Sequence, residues 1–132
     1  MTKSDKVAAR LSHTGLSKTL GEVVLGWGDG RAQVELAVSP AVLNPVGALH
    51  GGALATLIDS AGTIAIMATH AEAAPGVTTD LNVSYLAPTR AGKVVAEARA
   101  VKVGRTLAFA EVEVRRADGV VVAVGRITKY MG

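Results

Sequence analysis

The chain is 132 residues long, 49% hydrophobic and 19% charged, with a formal net charge of +3; this suits one packed core and is too little for two ordinary domains. Its 14 Lys and Arg residues are spread along the chain and aromatics are only 3%, so it lacks both a clustered phosphate footprint and stacking platforms, and nucleic acid is not an expected partner. The absence of cysteine excludes disulfides, thiolate metal sites and cysteine nucleophiles, and no metal is expected.

The opening residues, Met1-Thr2-Lys3-Ser4-Asp5-Lys6, are polar and lead into no apolar signal core, so a cytoplasmic location is expected. Residues 1–16 read as a peripheral, weakly helical segment. Residues 19–27 and 31–38 flank Gly28-Asp29-Gly30, a good hairpin turn, and read as a first pair of strands. Over residues 39–49, Pro40, Asn44, Pro45 and Gly47 break any strand, and an ordered loop is expected that ends in His50-Gly51-Gly52.

Residues 53–73 read as a helix, with Leu54, Leu57, Ile58, Ala61, Ala65 and Ala68 on one face and more apolar residues off it, which marks a central, wrapped helix. Its apolar run is about a turn short of a membrane span and carries Asp59, so no membrane partner is expected. The helix has one polar stripe: Thr56, Asp59, Ser60 and Thr63. After Pro75-Gly76 the period changes to two, with Val77, Thr79, Leu81, Val83 and Tyr85 alternating with Thr78, Asp80, Asn82 and Ser84. Strands over 93–103, 106–116 and 120–130 follow, joined by turns at Gly104-Arg105 and Asp118-Gly119. A hairpin, a buried helix and then a meander argue for one α+β domain, an antiparallel sheet curled round one helix.

The first N–H groups of a helix have no partner within it. At His50-Gly51-Gly52 they could hold an oxyanion, because Gly51 has no side chain to keep a carbonyl away and the helix dipole adds positive character. Paired glycines would equally ease a tight turn into a crowded helix. A carboxylate in an apolar helix must find partners or change its pKa, and such acids cluster at functional sites; Asp59 is therefore the sharper signal, unless it reaches solvent through the polar stripe. His50 could be a structural hydrogen-bonding group. Gly51 and Asp59 are eight residues apart, about 12 Å along a helix, too far to act on one carbonyl carbon within a single chain. Two antiparallel helices about 8–10 Å apart, with Ala55, Gly62 and Ala65 permitting close approach, would bring the start of one to the middle of the other in a symmetric dimer.

The ordered set Asn44-Pro45-Val46-Gly47-Ala48-Leu49-His50-Gly51-Gly52, then Asp59, then residues 79–88 (Thr79-Asp80-Leu81-Asn82-Val83-Ser84-Tyr85-Leu86-Ala87-Pro88), then Gly104-Arg105-Thr106-Leu107-Ala108-Phe109, resembles the hot-dog fold thioesterases, specifically the phenylacetate-pathway (PaaI-like) acyl-CoA thioesterases. The resemblance implies a homotetramer of two dimers, each joining its sheets edge to edge. It also implies that the Gly51 N–H polarises the thioester carbonyl while Asn44 and His50 shape that half of the site. Asp59 of the other subunit would activate water or attack, and Thr78 would position the water. Coenzyme A contacts fall on Tyr85, Leu86, Ala87, Pro88, Thr89 and Arg90, on Lys102, Val103, Gly104, Arg105, Thr106 and Leu107, and on Tyr130. Coenzyme A is then part of the substrate, and no separate cofactor is expected. Many relatives carry an aromatic residue soon after the paired glycines, where this chain has Ala53, Leu54 and Ala55.

Two other functions compete with hydrolysis. Acyl-thioester hydration or dehydration on the same fold would pair His50 with Asp59 as acid and base. A non-catalytic acyl-CoA binding module is the third, since fold alone confers no activity; such regulators usually carry an attached DNA-binding domain, for which this length leaves no room.

Overall fold

The computed structural model describes residues 2–11 and 13–132; Met1 and Ser12, in the segment expected to be weakly helical, lie outside the described residues. In chain order the elements are α1 (Lys3–Leu11), α2 (Gly15–Leu20), β1 (Val23–Gly28), β2 (Arg31–Ala37), a 3-10 turn (Pro40–Val42), α3 (Gly51–Met67), β3 (Val77–Tyr85), β4 (Lys93–Val103), β5 (Leu107–Arg116) and β6 (Val121–Tyr130). The strands form one antiparallel sheet in the order β1-β2-β4-β5-β6-β3. With α3 packed on one face of that sheet, this is the hot-dog arrangement.

Several boundaries differ from expectation for local reasons. Residues 19–20 close α2 rather than open β1. The helix stops at Gly21, whose φ of 85° lets its N–H reach the Ser17 and Lys18 carbonyls. The helix α3 begins at Gly51 under a His50 cap and ends at Met67, because the Ala68 carbonyl accepts from the Gly30 N–H at 3.1 Å and the Thr69 hydroxyl donates to the Ile66 carbonyl at 2.8 Å. The meander is only β4-β5-β6, since β3 lies beyond β6 at the sheet edge. Residues 86–92 carry the chain back across: Leu86 and Ala87 donate to the Val122 carbonyl, Thr89 accepts from Leu49, and Gly92 accepts from Val38 beside β2.

The core lies between α3 and the sheet. Leu57, Ile58, Ala61, Ile64 and Ala65 are fully buried against Val34, Leu36, Val94, Ala96, Val114 and Ile127, each large side chain contributing about 1.5–3 kcal/mol. Two glycines set the helix-to-sheet distance. A Cβ on Gly62 would stand 2.6 Å from Ile127 Cδ1, and one on Gly125 would stand 2.8 Å from Ile58 Cγ2. Gly62 and Ala65 are therefore spent on the chain's own core and are not offered to a second helix; of the three small residues expected at such a contact, only Ala55 is not fully buried.

Candidate active site

At the mouth of α3 the loop is tied by its own side chains. The Asn44 Oδ1 accepts from the Val46 and Ala48 N–H groups at 3.1 and 3.0 Å, and Gly47 sits at φ 80° inside that turn, so Asn44 shapes the loop. The His50 N–H donates to the Val42 carbonyl, and its Nδ1 accepts from the Gly52 N–H at 2.8 Å. An imidazole nitrogen that accepts carries no proton, so the neutral ring holds its proton on Nε2. This cap consumes the Gly52 N–H and leaves that of Gly51 without an acceptor among the described residues. Tyr85, at the end of β3, closes over the same spot: its hydroxyl donates to the Gly51 carbonyl at 2.7 Å, and its ring would lie 3.2 Å from any Cβ at position 51. Glycine thus suits the position by access, and a Cβ there would need the Tyr85 ring to shift slightly.

Eight residues further along α3, Asp59 does not point into open solvent. The Thr78 hydroxyl donates to its Oδ1 at 2.7 Å, and Lys129 Nζ donates to Thr78 Oγ1 at 2.9 Å and to Thr63 Oγ1 at 3.0 Å. Next along the stripe, Ser60 donates to Glu22 Oε2 at 3.1 Å with Ser17 beside it at 3.4 Å. Both outer charges are buried, Lys129 at 5% and Glu22 at 3% exposure. Burial pushes the Glu22 carboxyl above its ordinary value; the Ser60 and Ser17 hydroxyls oppose this, and the Asp59 carboxylate adds to it. Burial pushes the Lys129 ammonium down, against a smaller upward pull from Asp59. Sequence reading missed Lys129 and Glu22.

The bulge in β3 explains how Thr78 joins this cluster. Thr78 pairs with Lys129 while Asp80 pairs with Thr128, so Thr79 is the extra residue and the alternation of faces slips by one. Thr78 therefore shares the helix-facing side with Leu81 and Val83, not the polar side with Asp80, Asn82 and Ser84 where simple alternation places it.

The residues expected to contact coenzyme A fall into two groups at opposite ends of β3, about 26 Å apart at the usual strand rise. Tyr85 to Arg90 lie at the helix mouth. There Pro88 accepts from Arg116 at 2.7 Å, Arg90 donates to the Val46 carbonyl at 2.8 Å, and Thr89 is buried with a hydroxyl that has no partner among the described residues. Lys102 to Leu107 and Tyr130 lie at the other end, where Leu107 and Val77 both pair with Tyr130. Lys102 and Arg105 have no ion-pair partner among the described residues. Each end of one chain thus holds half of the expected set. A concavity of about 560 Å³ lies instead on the outer sheet face among Arg31, Glu97, Arg99, Glu111 and Arg126, away from both Gly51 and Asp59.

The thioesterase superfamily model matches residues 46–123. Acyl-coenzyme A thioesterase 13 of Homo sapiens is 36% identical, over all of this chain and 97% of the relative. Among solved structures, thioesterase superfamily member 2 of zebra fish superposes with a TM-score of 0.86 at 36% identity, covering 96% of this chain and 94% of the other. A phenylacetic acid degradation-related protein of Ralstonia eutropha superposes at 0.80 with 28% identity, covering 93% and 98%. With the matched segment running from the loop before His50, through Asp59, into β6, the chain belongs to the thioesterase superfamily.

Proposed function

We propose that the protein hydrolyses acyl-coenzyme A thioesters to free acid and coenzyme A, at sites each built from two chains. The observation that carries this is the pairing of an unengaged Gly51 N–H at the helix mouth with a partly buried, hydrogen-bonded Asp59 two turns on. The Gly51 N–H receives the carbonyl oxygen as it becomes negative. Asp59 of the second chain takes a proton from water while the water oxygen bonds to the acyl carbon. The carbon–sulfur bond then breaks, and the thiolate regains the proton, so one water is consumed per acid and thiol released.

The second chain is brought in by β3. This strand is a sheet edge, with Val77 67% and Leu81 41% exposed, and an open apolar edge is a template for pairing. Antiparallel pairing with the same strand of a partner, about a two-fold axis near its middle, sets the Tyr85 end of one chain against the Thr78 end of the other. Gly51 then faces the partner's Asp59, and Tyr85 to Arg90 join the Lys102 to Leu107 group of the second chain. Coenzyme A phosphates suit Lys102 and Arg105, whose charges are unspent. Two such dimers would form the homotetramer. No described helix is long and apolar enough to cross a membrane.

Thiol release from a panel of aryl and fatty acyl-coenzyme A substrates tests the activity. Turnover of at least one class is expected, and binding without turnover of any would support a non-catalytic module.

A further inference from the structure

Lys129 occupies a position that strand alternation reserves for the core. On β6, Gly125, Ile127 and Lys129 are buried in alternation with more exposed neighbours, and an ammonium there is costly unless it is held. Among the described residues it forms no ion pair with a carboxylate. Its partners are two hydroxyls, Thr63 Oγ1 and Thr78 Oγ1, and the Thr78 hydroxyl in turn donates a hydrogen bond to Asp59 Oδ1. A hydroxyl that accepts from a cation and donates to an anion has its hydrogen fixed and is polarised in one direction.

We propose that Lys129 is a positioning residue for hydrolysis: acting through Thr78, it fixes one oxygen of Asp59 and leaves Oδ2 for the attacking water. This rests on the reading of Asp59 as the base. The charged groups that bear on Asp59 are Lys129 from β6 and Glu22 from the connection between α2 and β1. The side chains beside it on α3, Thr56, Ser60 and Thr63, and Thr78 on β3, are uncharged. Of the two, Lys129 is the one joined to Asp59 through a hydrogen-bonded hydroxyl. A lysine that merely filled the core would leave kcat unchanged in a variant that folds.

The test is kcat and KM against pH for Lys129→Met, which removes donor and charge, for Lys129→Gln, which keeps an N–H donor, and for Thr78→Val, which cuts the relay on an edge strand where valine is at home. The Thr78→Val/Lys129→Met double variant and Asp59→Asn complete the set, with thermal melting of each. Plateau kcat in Lys129→Met and Thr78→Val falls by about 10 to 100-fold with KM changed less than about two-fold, Lys129→Gln retains more of it than Lys129→Met, and the double variant loses no more than roughly the worse single one. An unchanged kcat in folded Lys129→Met overturns the proposal, as do losses that multiply in the double variant. Should neither lysine variant fold, an unchanged kcat in Thr78→Val does the same. A fully active Asp59→Asn removes the base itself, whereas an inactive Asp59→Asn beside fully active Lys129 and Thr78 variants refutes only the role of Lys129.

Discussion

The Gly51 N–H and the Glu22 carboxyl can each be altered almost alone. Proline at the first helical position removes only the N–H, and its fixed φ suits a helix start. His50 at φ −64° and ψ 136° already has the extended backbone that a residue before proline prefers. The new ring would press on Tyr85, which at 53% exposure has room to turn aside. Gly51→Pro should therefore fold and lose roughly 10² to 10³ in kcat, the effect of deleting one oxyanion donor, as read by steady-state kinetics beside a melting curve. Glu22 is a test of stability. Its carboxyl is raised in the fold, so the stability due to the neutral acid is complete below the ordinary value of 4.5 and is lost as pH rises through the raised value. Melting of Glu22→Gln against the parent across this window should show little difference in acid and a variant that is more stable by several degrees at neutral pH and above.

The contact of α3 with β6 is governed by missing side chains. Gly62→Ala would bring a methyl within 2.6 Å of Ile127 Cδ1 and 2.9 Å of its Cγ1. Overpacking of that kind costs about 1–3 kcal/mol, and denaturant unfolding should show the loss, although alanine is the better helix former. The helix itself was legible in the sequence through the spacing of Leu54, Leu57, Ile58 and Ala61, and the hairpins through Gly28-Asp29-Gly30 and Asp118-Gly119. The partner of β3 was not, because alternation marks a strand without saying which neighbour it takes; the hydrogen bonds of residues 86–92 decide that. Thr78 was legible only by resemblance, since the bulge at Thr79 inverts its face. Lys129 did leave a signal in the series Ala123, Gly125, Ile127, Lys129, which puts a charge on the buried face. Glu22 left none, because its burial depends on where α2 stops.

At the scale of the whole molecule, the proposed reading makes one chain half an enzyme twice over. It would carry the oxyanion donor with one set of ligand contacts at one end of β3, and the acid with the other set at the far end. Two chains paired along that edge would complete both sites together, so losing one component should be repaired by a partner that retains it. The direct measurement is complementation: inactive Asp59→Asn is co-refolded in equal amounts with inactive Gly51→Pro, and thiol release is compared with each variant refolded alone. In a mixed dimer one site receives the intact Gly51 of the first chain and the intact Asp59 of the second, so random pairing restores about a quarter of parental activity. Activity no greater than the average of the two variants, in a mixture shown to contain mixed dimers, would contradict a site shared between chains.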